Sequence, residues 1–458
     1  MAIRETLERE VKLRAGEEFR LPELGGEAIE PRVFVSTYHD TADHRLARRG
    51  VTLRHRVEHG KGLWQLKLLR DNARLELEAE GGPGSPPDDM LELLVAHLRG
   101  AALVPIARLR TRREGVRADG AEIVHDTVAV LDHQRVTRSF EELEVELLDG
   151  DEKTLRRIEK ELRRAGAADG ESRPKVFQAL DLDFQPELAD EPDDASSAAT
   201  LRARIREQVE RVFAHDPGTR LGTESEELHQ LRVATRRLRA FLRAGQELVD
   251  PTWAEPVRTE LKWLGGVLGP VRDLDVLIEH LTPGVDSLGA DRAEGRKLLR
   301  TLERKRRTAR KRMMAALGSA RYFALLDTLE QPVATIAETP TLGEIHAAEH
   351  KQLRKAVRAL DDASPDEELH AVRIKAKRAR YAAELAGDDN YVKPAKVLQD
   401  VLGDHQDAVV AAGQLRDLAA RMPDTSLAAG RLIEREQARA LRGRDDWRSA
   451  WKRLAKRV

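Results

Sequence analysis

From residue 1 to about 186 the chain alternates apolar and charged positions with a period of two, the pattern of half-buried strands. Examples are Glu8-Arg-Glu10-Val-Lys12, Leu53-Arg54-His-Arg56-Val57, Leu66-Lys67-Leu68, Arg74-Leu-Glu76-Leu-Glu78, Arg108-Leu-Arg110-Thr-Arg112 and Glu142-Leu-Glu144-Val-Glu146-Leu147. Turn residues, as in His59-Gly60-Lys61-Gly62 and Ala118-Asp119-Gly120, separate several of them. Segments 88–99 and 153–165 have helical spacing instead. Residues 181–194 hold seven acids, two prolines and no base, which predicts a solvated acidic linker, placed at 187–197. From 198 to the end the period becomes 3.6, which predicts an all-helical domain over 198–458.

The charged strand positions, taken one strand at a time, are explained as a solvent face. Taken together they segregate by sign. Acidic pairs (Glu8/Glu10, Glu76/Glu78, Glu144/Glu146) and basic pairs (Arg54/Arg56, Arg110/Arg112) fall on separate strands. A closed antiparallel barrel with a polar lumen would collect them in one cavity. Carboxylates on neighbouring strands suit Mg²⁺ or Mn²⁺, and arginine forks and lysines suit phosphate oxygens. A cavity offering both suits a metal-bound polyphosphate.

In the helical half one basic helix occurs twice, about 140 residues apart. The first copy is His229-x-x-Arg232-x-x-x-Arg236-x-x-Arg239-x-x-x-Arg243, the second His370-x-x-Arg373-x-x-x-Lys377-x-x-Arg380-Tyr381-x-x-Glu384. The spacing keeps a histidine and its cations on one helical face, and residues 228–243 contain five arginines and no acid. A polyanion, or full solvation, makes that density tolerable. Each copy is followed by a glycine with an aspartate four residues on, Gly269/Asp273 and Gly403/Asp407. Any single arginine of the first copy could instead pair with Asp273, Asp275 or Asp407; the face as a whole favours a ligand. The two glycines are expected as tight helix contacts or caps, and Leu238, Phe241, Leu242, Leu385 and Leu402 as core. A third basic run, 296–312, has ten Lys or Arg and one Glu, with Arg296, Arg300, Arg304, Arg307 and Lys311 in one stripe.

The net charge is −1, so this is not a globally basic nucleic-acid coat, and the signature helices lack interleaved aromatics for base stacking. Specific nucleic-acid binding is therefore not expected. Charged residues are 35% and aromatics 4%, a mix suited to long salt-bridged helices. The absence of cysteine removes disulfides, thiolate zinc sites and cysteine nucleophiles. The first residues, MAIRETLEREVKLR, lack the apolar core of a secretory signal, and no stretch approaches the length of an uncharged membrane span. A cytoplasmic protein with no membrane segment is expected.

Glu8-x-Glu10-x-Lys12 resembles the ExExK signature of the CYTH superfamily, the triphosphate tunnel metalloenzymes. Tyr38-His39-Asp40-Thr41, Gly50-Val51-Thr52-Leu53-Arg54-His55-Arg56, Trp64-Gln65-Leu66-Lys67, Arg74-Leu75-Glu76-Leu77-Glu78, Pro105 to Arg113, Glu142 to Leu147 and Ser172-Arg173-Pro174-Lys175 follow in the family's order. The resemblance covers about residues 4–180 and implies an eight-stranded antiparallel β-tunnel over residues 1–186. It implies metal ligands at Glu8, Glu10, Glu144 and Glu146, for Mg²⁺ or Mn²⁺. It implies phosphate contacts from Lys12, Arg54, Arg56, Lys67, Arg110, Arg112 and Lys175, and catalytic roles for Glu76, Glu78 and Lys67. The implied chemistry is attack of water on a terminal phosphorus of tripolyphosphate or a related triphosphate; thiamine triphosphate hydrolysis, ATP cyclisation and non-catalytic binding are the alternatives.

The repeated basic helices resemble the signature of the CHAD domain, over about 198–458. That implies two pseudo-symmetric four-helix bundles, making the chain an α+β multidomain protein with an all-α C-terminal domain. It also implies inorganic polyphosphate binding by His229, Arg232, Arg236, Arg239, Arg243, His370, Arg373, Lys377 and Arg380, with association with polyphosphate granules.

Overall fold

The computed structural model describes residues 3–16, 19–22, 25–70, 73–149, 151–171, 173–182, 196–361 and 363–457. The chain divides into two compact units, Met1–Leu188 and Ala189–Val458. Residues 187–195 of the expected linker, and Ser172, lie outside the described residues, while Ser196 caps the first helix of the second unit.

The first unit is one antiparallel sheet. Its strands are β1 (Arg4–Glu8), β2 (Glu10–Ala15), β3 (Glu27–Asp40), β4 (Thr52–Glu58), β5 (Lys61–Arg70), β6 (Ala73–Glu80), β7 (Val104–Ala118), β8 (Ala121–Asp132), β9 (Arg135–Leu147) and β10 (Ala167–Asp169). Three helices accompany them: α1 (Asp88–Leu98), α2 (Glu152–Arg164) and α3 (Lys175–Leu180). The strand order is β1-β6-β5-β4-β3-β7-β8-β9-β2-β10. Ten strands stand where eight were expected, for two reasons. Arg9 interrupts the first segment, and Ala167–Asp169 adds a short strand on Leu13–Ala15.

The interruption also accounts for closure. β1 pairs with β6, and β2, one residue later, pairs with β9. The Leu147 amide donates to the Arg9 carbonyl (2.9 Å), so the ladder runs through the break. Both ends of the strand order therefore meet in one continuous segment, and the sheet closes without an exposed long edge.

Alternation sorts the side chains. Leu13, Ile123, Leu143 and Val145 form the outer layer under α2, which buries Leu155, Ile158 and Leu162 against them. Their neighbours at odd offsets turn into the lumen. At one end of the lumen α3 places Val176 and Phe177 against Tyr38, Leu109 and Val128. The turn after β3 is held by buried Asp40, whose Oδ1 accepts from the amides of Thr41 (2.7 Å) and Leu46 (2.9 Å) and whose Oδ2 accepts from Ala47 (2.9 Å).

The second unit is helical: α4 (Ser197–Leu221), α5 (Ser225–Ala244), α6 (Pro251–Asp286), α7 (Arg292–Leu317), α8 (Ala320–Leu329), α9 (Leu342–Arg358), α10 (Asp366–Leu385), α11 (Asp389–Arg421) and α12 (Ser426–Ala455). Leu353, Val372, Leu398, Leu402 and Trp447 join α9 to α12 in one core, and Leu281, Leu298, Leu302, Leu415 and Leu432 join α6, α7, α11 and α12 in another. Helices α5 and α10, the two copies of the basic helix, touch each other. Leu238, Phe241, Leu242, Leu385 and Leu402 are buried, in line with the apolar stripe of the sequence. No described helix is long and apolar enough to cross a membrane.

Replacing Asp40 by Ala leaves three amides without an acceptor, those of Thr41, Leu46 and Ala47, all on buried residues. Urea unfolding of Asp40→Ala should show a loss of about 2–4 kcal/mol, with no shift of the second unit's own transition.

Candidate functional site

Because successive residues of a strand face opposite sides, the closed sheet gathers its inward side chains into one polar lumen. Two ionic groups occupy it. In the first, Lys175 Nζ lies 3.1 Å from Asp126, 2.5 Å from Glu142 and 2.7 Å from Glu144. Lys12 Nζ lies 3.0 Å from Glu142 and 3.2 Å from Glu144. Arg113 donates to both oxygens of Asp126 (2.8 and 2.7 Å) and to Glu144 (2.8 Å). Three cations thus meet three carboxylates. Burial opposes ionisation of Glu144, but Lys175, Lys12 and Arg113 outweigh it and hold its carboxyl well below the usual range. Burial and Glu144 push the Glu142 carboxyl up.

In the second group Lys67 Nζ donates to both oxygens of Glu8 (2.7 and 2.6 Å) and lies 3.6 Å from Glu76. Arg74 binds Glu10 (2.8 Å). Gln65 Nε2 donates to Glu76 (3.2 Å) and Glu78 (2.6 Å), and Glu78 also takes Arg4. Arg54 reaches the Gln65 carbonyl oxygen (2.8 Å) and the Tyr38 hydroxyl (3.2 Å). Arg56 stacks over Phe34, 3.8 Å from the ring centre, and pairs with Glu58. Burial and Arg54 push the Arg56 guanidinium down to about 10.

Glu146 differs from the rest. Among the described residues no cation lies within ion-pair distance of it. Burial, and then Glu8, push its carboxyl up to about 7. No group of three or more His, Asp or Glu among the described residues is assembled as a closed metal shell. The donor chemistry nevertheless fits a hard divalent cation. The donors are all oxygen, Glu146 lies within electrostatic reach of Glu8 and Glu76, and a cation there would relieve their repulsion.

Arg110 and Arg112 do not reach the lumen. Both are exposed on the outer face of β7, where Arg112 pairs with Glu114. The inward positions are Leu109, Thr111 and Arg113, and register puts Arg113 opposite Asp126. The i/i+2 basic pair is the solvent face of that strand, and the single arginine beyond it is the one that faces inward. Arg74, Asp126 and Glu142 also face the lumen and are not among the expected site residues, and buried Glu122, on the Asp126 face of β8, pairs with Arg32 and Arg117. Glu142 stands two residues before Glu144, so period two carried that signal.

In the helical unit the two glycines lie inside helices and against arginines. A Cβ on Gly269 would come 2.9 Å from the Arg232 guanidinium, and one on Gly403 would come 3.5 Å from that of Arg373. They are close contacts rather than caps. One turn on, Arg232 pairs with Asp273 (3.0 Å), and Asp407 is the acid that faces Arg373 and Lys377. Arg236 donates to the Tyr381 hydroxyl (2.6 Å), and Arg237 pairs with Glu384 (3.3 Å). Lys377 sits among Arg373 on its own helix, Arg236 and Arg232 on α5, and Asp407 on α11. Burial and these arginines push its ammonium down to about 8. His229 and His370 are half-buried at the α5 and α10 ends of the repeat. Burial and Arg272 push the His229 imidazole down.

Arg239 and Arg243 are exposed farther along α5, Arg243 beside Arg378, Glu349 and Arg258. Arg380 is the exception in its row. It is buried, its Nε donates to Gln399 (2.9 Å), it pairs with Glu384, and it stacks on Tyr381 at 4.3 Å. It forms a buried ion pair rather than lying open along the row.

The CYTH domain model matches residues 6–175 and the CHAD domain model matches residues 203–416. Two uncharacterized proteins from two strains of Mycobacterium tuberculosis, MT2285 and Rv2226, are each 33% identical over 470 residues, covering 92% of this chain and 90% of theirs. Among solved structures, PptA from Streptomyces chartreusis is 27% identical with a TM-score of 0.50, over 56% of this chain and 100% of PptA. The CHAD domain from the plant Ricinus communis is 26% identical with a TM-score of 0.48, over 58% of this chain and 95% of that domain. The chain belongs to the family of proteins in which a CYTH domain is followed by a CHAD domain. CYTH domains are triphosphate tunnel metalloenzymes, typically dependent on Mg²⁺ or Mn²⁺.

Arg113→Met should destabilise the first unit by about 3 kcal/mol in chemical unfolding, because it strands buried Asp126, while Arg110→Gln and Arg112→Gln should change it by less than about 0.5 kcal/mol. A pH series reports on Lys377. Its ammonium in the free protein loses its proton near pH 8, and a bound polyanion favours the charged form, so binding takes up a proton above that pH. Affinity for an inorganic polyanion should be full below pH 8 and fall as pH rises through it, and calorimetry on Lys377→Arg should show a flatter decline.

Proposed function

We propose that the first unit is a metal-dependent hydrolase of inorganic tripolyphosphate or a related triphosphate, and that the second unit binds inorganic polyphosphate. The observation that carries the first half is the convergence of six cations, Lys12, Arg54, Arg56, Lys67, Arg113 and Lys175, with acidic side chains inside one closed sheet. No apolar slot for a base or thiazole is needed to account for any of them.

In this reading the cations exchange their carboxylate partners for phosphate oxygens when substrate enters. Arg54 and Arg113 are held in place by Tyr38, Gln65 and Asp126, so little side-chain freedom is lost on binding. Lys67 spans Glu8 and Glu76 and is placed to offset charge gathering on the bridging oxygen of the leaving group. Glu76 and Glu78 accept a hydrogen bond from a water and take its proton as it attacks the terminal phosphorus. A divalent Mg²⁺ or Mn²⁺ held by Glu8, Glu10, Glu144 and Glu146 would supply Lewis-acid polarisation of the phosphoryl oxygens.

For the second unit, the support is the repeated arrangement of Arg232, Gly269 and Asp273 on one side and Arg373, Gly403 and Asp407 on the other. It is what two related half-domains, α4–α7 and α9–α12, would present if they were pseudo-symmetric bundles facing one ligand. His229, Arg232, Arg236, Arg239, Arg243, His370, Arg373 and Lys377 are the contacts, and a polyphosphate chain, with one charge per phosphate and no bases, suits them. Association with polyphosphate granules follows from such an affinity.

A second reading, a polyphosphate-binding protein whose tunnel only binds, is favoured by one observation: Glu8, Glu10 and Glu144 are already paired with Lys67, Arg74, Lys12 and Lys175. Phosphate release from tripolyphosphate with Mg²⁺ or Mn²⁺, measured beside Glu8→Gln/Glu10→Gln, separates the two. Hydrolysis requires metal-dependent release that drops by about 100-fold or more in the variant. Absence of release from folded protein that binds long-chain polyphosphate assigns the binding role.

A further inference from the structure

Helix α7 carries the third basic run, and among its ten cations two sets stand apart, with Lys305 and Arg312 exposed outside both. One set is used internally. Arg306 pairs with Asp275 of α6, Arg310 donates to the carbonyls of Thr219 (3.2 Å) and Arg220 (2.7 Å) at the end of α4, and Lys297 pairs with Asp424 (2.6 Å). The other set, Arg296, Arg300, Arg304, Arg307 and Lys311, is exposed along one face. Among the described residues its nearest acid is Asp286, 4.0 Å from Arg296, and Arg300, Arg307 and Lys311 have no ion pair. The row advances by four, four, three and four residues, so neighbours repel, and it runs about 22 Å along the helix.

The row also lies one helix away from the α5–α10 cluster. Asp273 of α6 pairs with Arg232 of α5, and Asp275, two residues on, pairs with Arg306 of α7. A single turn of α6 therefore separates the α5–α10 cluster from the inward side of α7, and the exposed row lies on the outer side of that helix.

We propose that the exposed face of α7 is a second polyanion-binding surface, which takes the continuation of a long inorganic polyphosphate chain held at the α5–α10 cluster. The proposal rests on the polyphosphate reading above and extends it to a separate surface. The internal arginines brace α7, and the outward ones have no structural task that their exposure or partners reveal. A flexible chain with a charge at every unit can cross the α6 turn, pass around α7 and neutralise the row without any pocket. Helix α7 has no aromatic residue, so stacking of unpaired bases has no platform there.

The test uses the full-length protein and the variant Arg300→Gln/Arg304→Gln/Arg307→Gln, with far-UV circular dichroism melts to establish that both fold alike. Binding of long-chain polyphosphate and of tripolyphosphate is measured over a salt series, beside Arg232→Gln/Arg236→Gln/Lys377→Gln. The α7 variant should bind long chains about tenfold or more weakly, with a log–log salt slope shallower by about 2, and bind tripolyphosphate as the parent does. Unchanged long-chain affinity and slope in the α7 variant, with loss in the α5–α10 variant, overturns this inference and leaves the polyphosphate reading standing. A parent that does not bind long chains overturns both. Loss of single-stranded RNA binding in the α7 variant with polyphosphate affinity intact would assign the row to nucleic acid and overturn it as well.

Discussion

Charge taken out of water must be paired, and the first unit is organised around that requirement. Lys12, Lys175 and Arg113 balance Asp126, Glu142 and Glu144 in a space that admits little solvent. Removing any member would leave a partner desolvated and unneutralised, at a cost larger than the pair's own net contribution. These residues come from β2, β7, β8, β9 and α3, so the ionic group ties the start of the barrel to its end. Lys175 reaches it because Pro174 precedes α3 in extended conformation and starts the helix there. The same group that holds the unit together is the one a polyphosphate would reorganise, since each lysine can trade a carboxylate oxygen for a phosphate oxygen of similar hardness.

The second unit meets the same requirement incompletely. Where α5 and α10 touch, Arg232, Arg236, Arg373 and Lys377 crowd together, and burial, with the neighbouring arginines, lowers the proton affinity of Lys377. Gly269 leaves room for the Arg232 guanidinium beside α6, and Gly403 stands against that of Arg373, each next to the aspartate one turn on. Tyr381 supports the cluster from below, taking the Arg236 hydrogen bond and the Arg380 stacking contact. An anion would complete the balance that the protein itself leaves open.

The two corrections among the site residues have one cause. Arg110 and Arg112 were chosen because charged pairs at i and i+2 recur on the lumen-lining strands; on β7 that pair is the solvent face, and the inward residue is Arg113. Arg380 was chosen because it continues the row of His370, Arg373 and Lys377; three turns along α10 the neighbouring helix has closed over that row, and Gln399 and Glu384 satisfy it. In both cases periodicity placed the residue on a face correctly, and only the partner element decided whether that face met a ligand, solvent or core. The strand count differed for a related reason: Arg9 is charged where the alternation of Leu7, Val11 and Leu13 calls for an apolar residue, and pairing with β6 before it and β9 after it splits the run there.

The sequence by itself determined that strands give way to helices, the change of period near residue 198, the repeat of the basic helix with its glycine and aspartate, and the family. Each is written in local spacing, which strand and helix geometry convert directly into faces. Tertiary structure alone decided which cations oppose which acids, that Asp126 belongs to the lumen, that among the described residues no cation pairs with Glu146, and that α7 cations separate into internal and outward sets. Those outcomes depend on register, closure and helix contact between segments far apart in the chain, and the energy of a buried charge is set by its neighbours in space rather than by its neighbours in sequence.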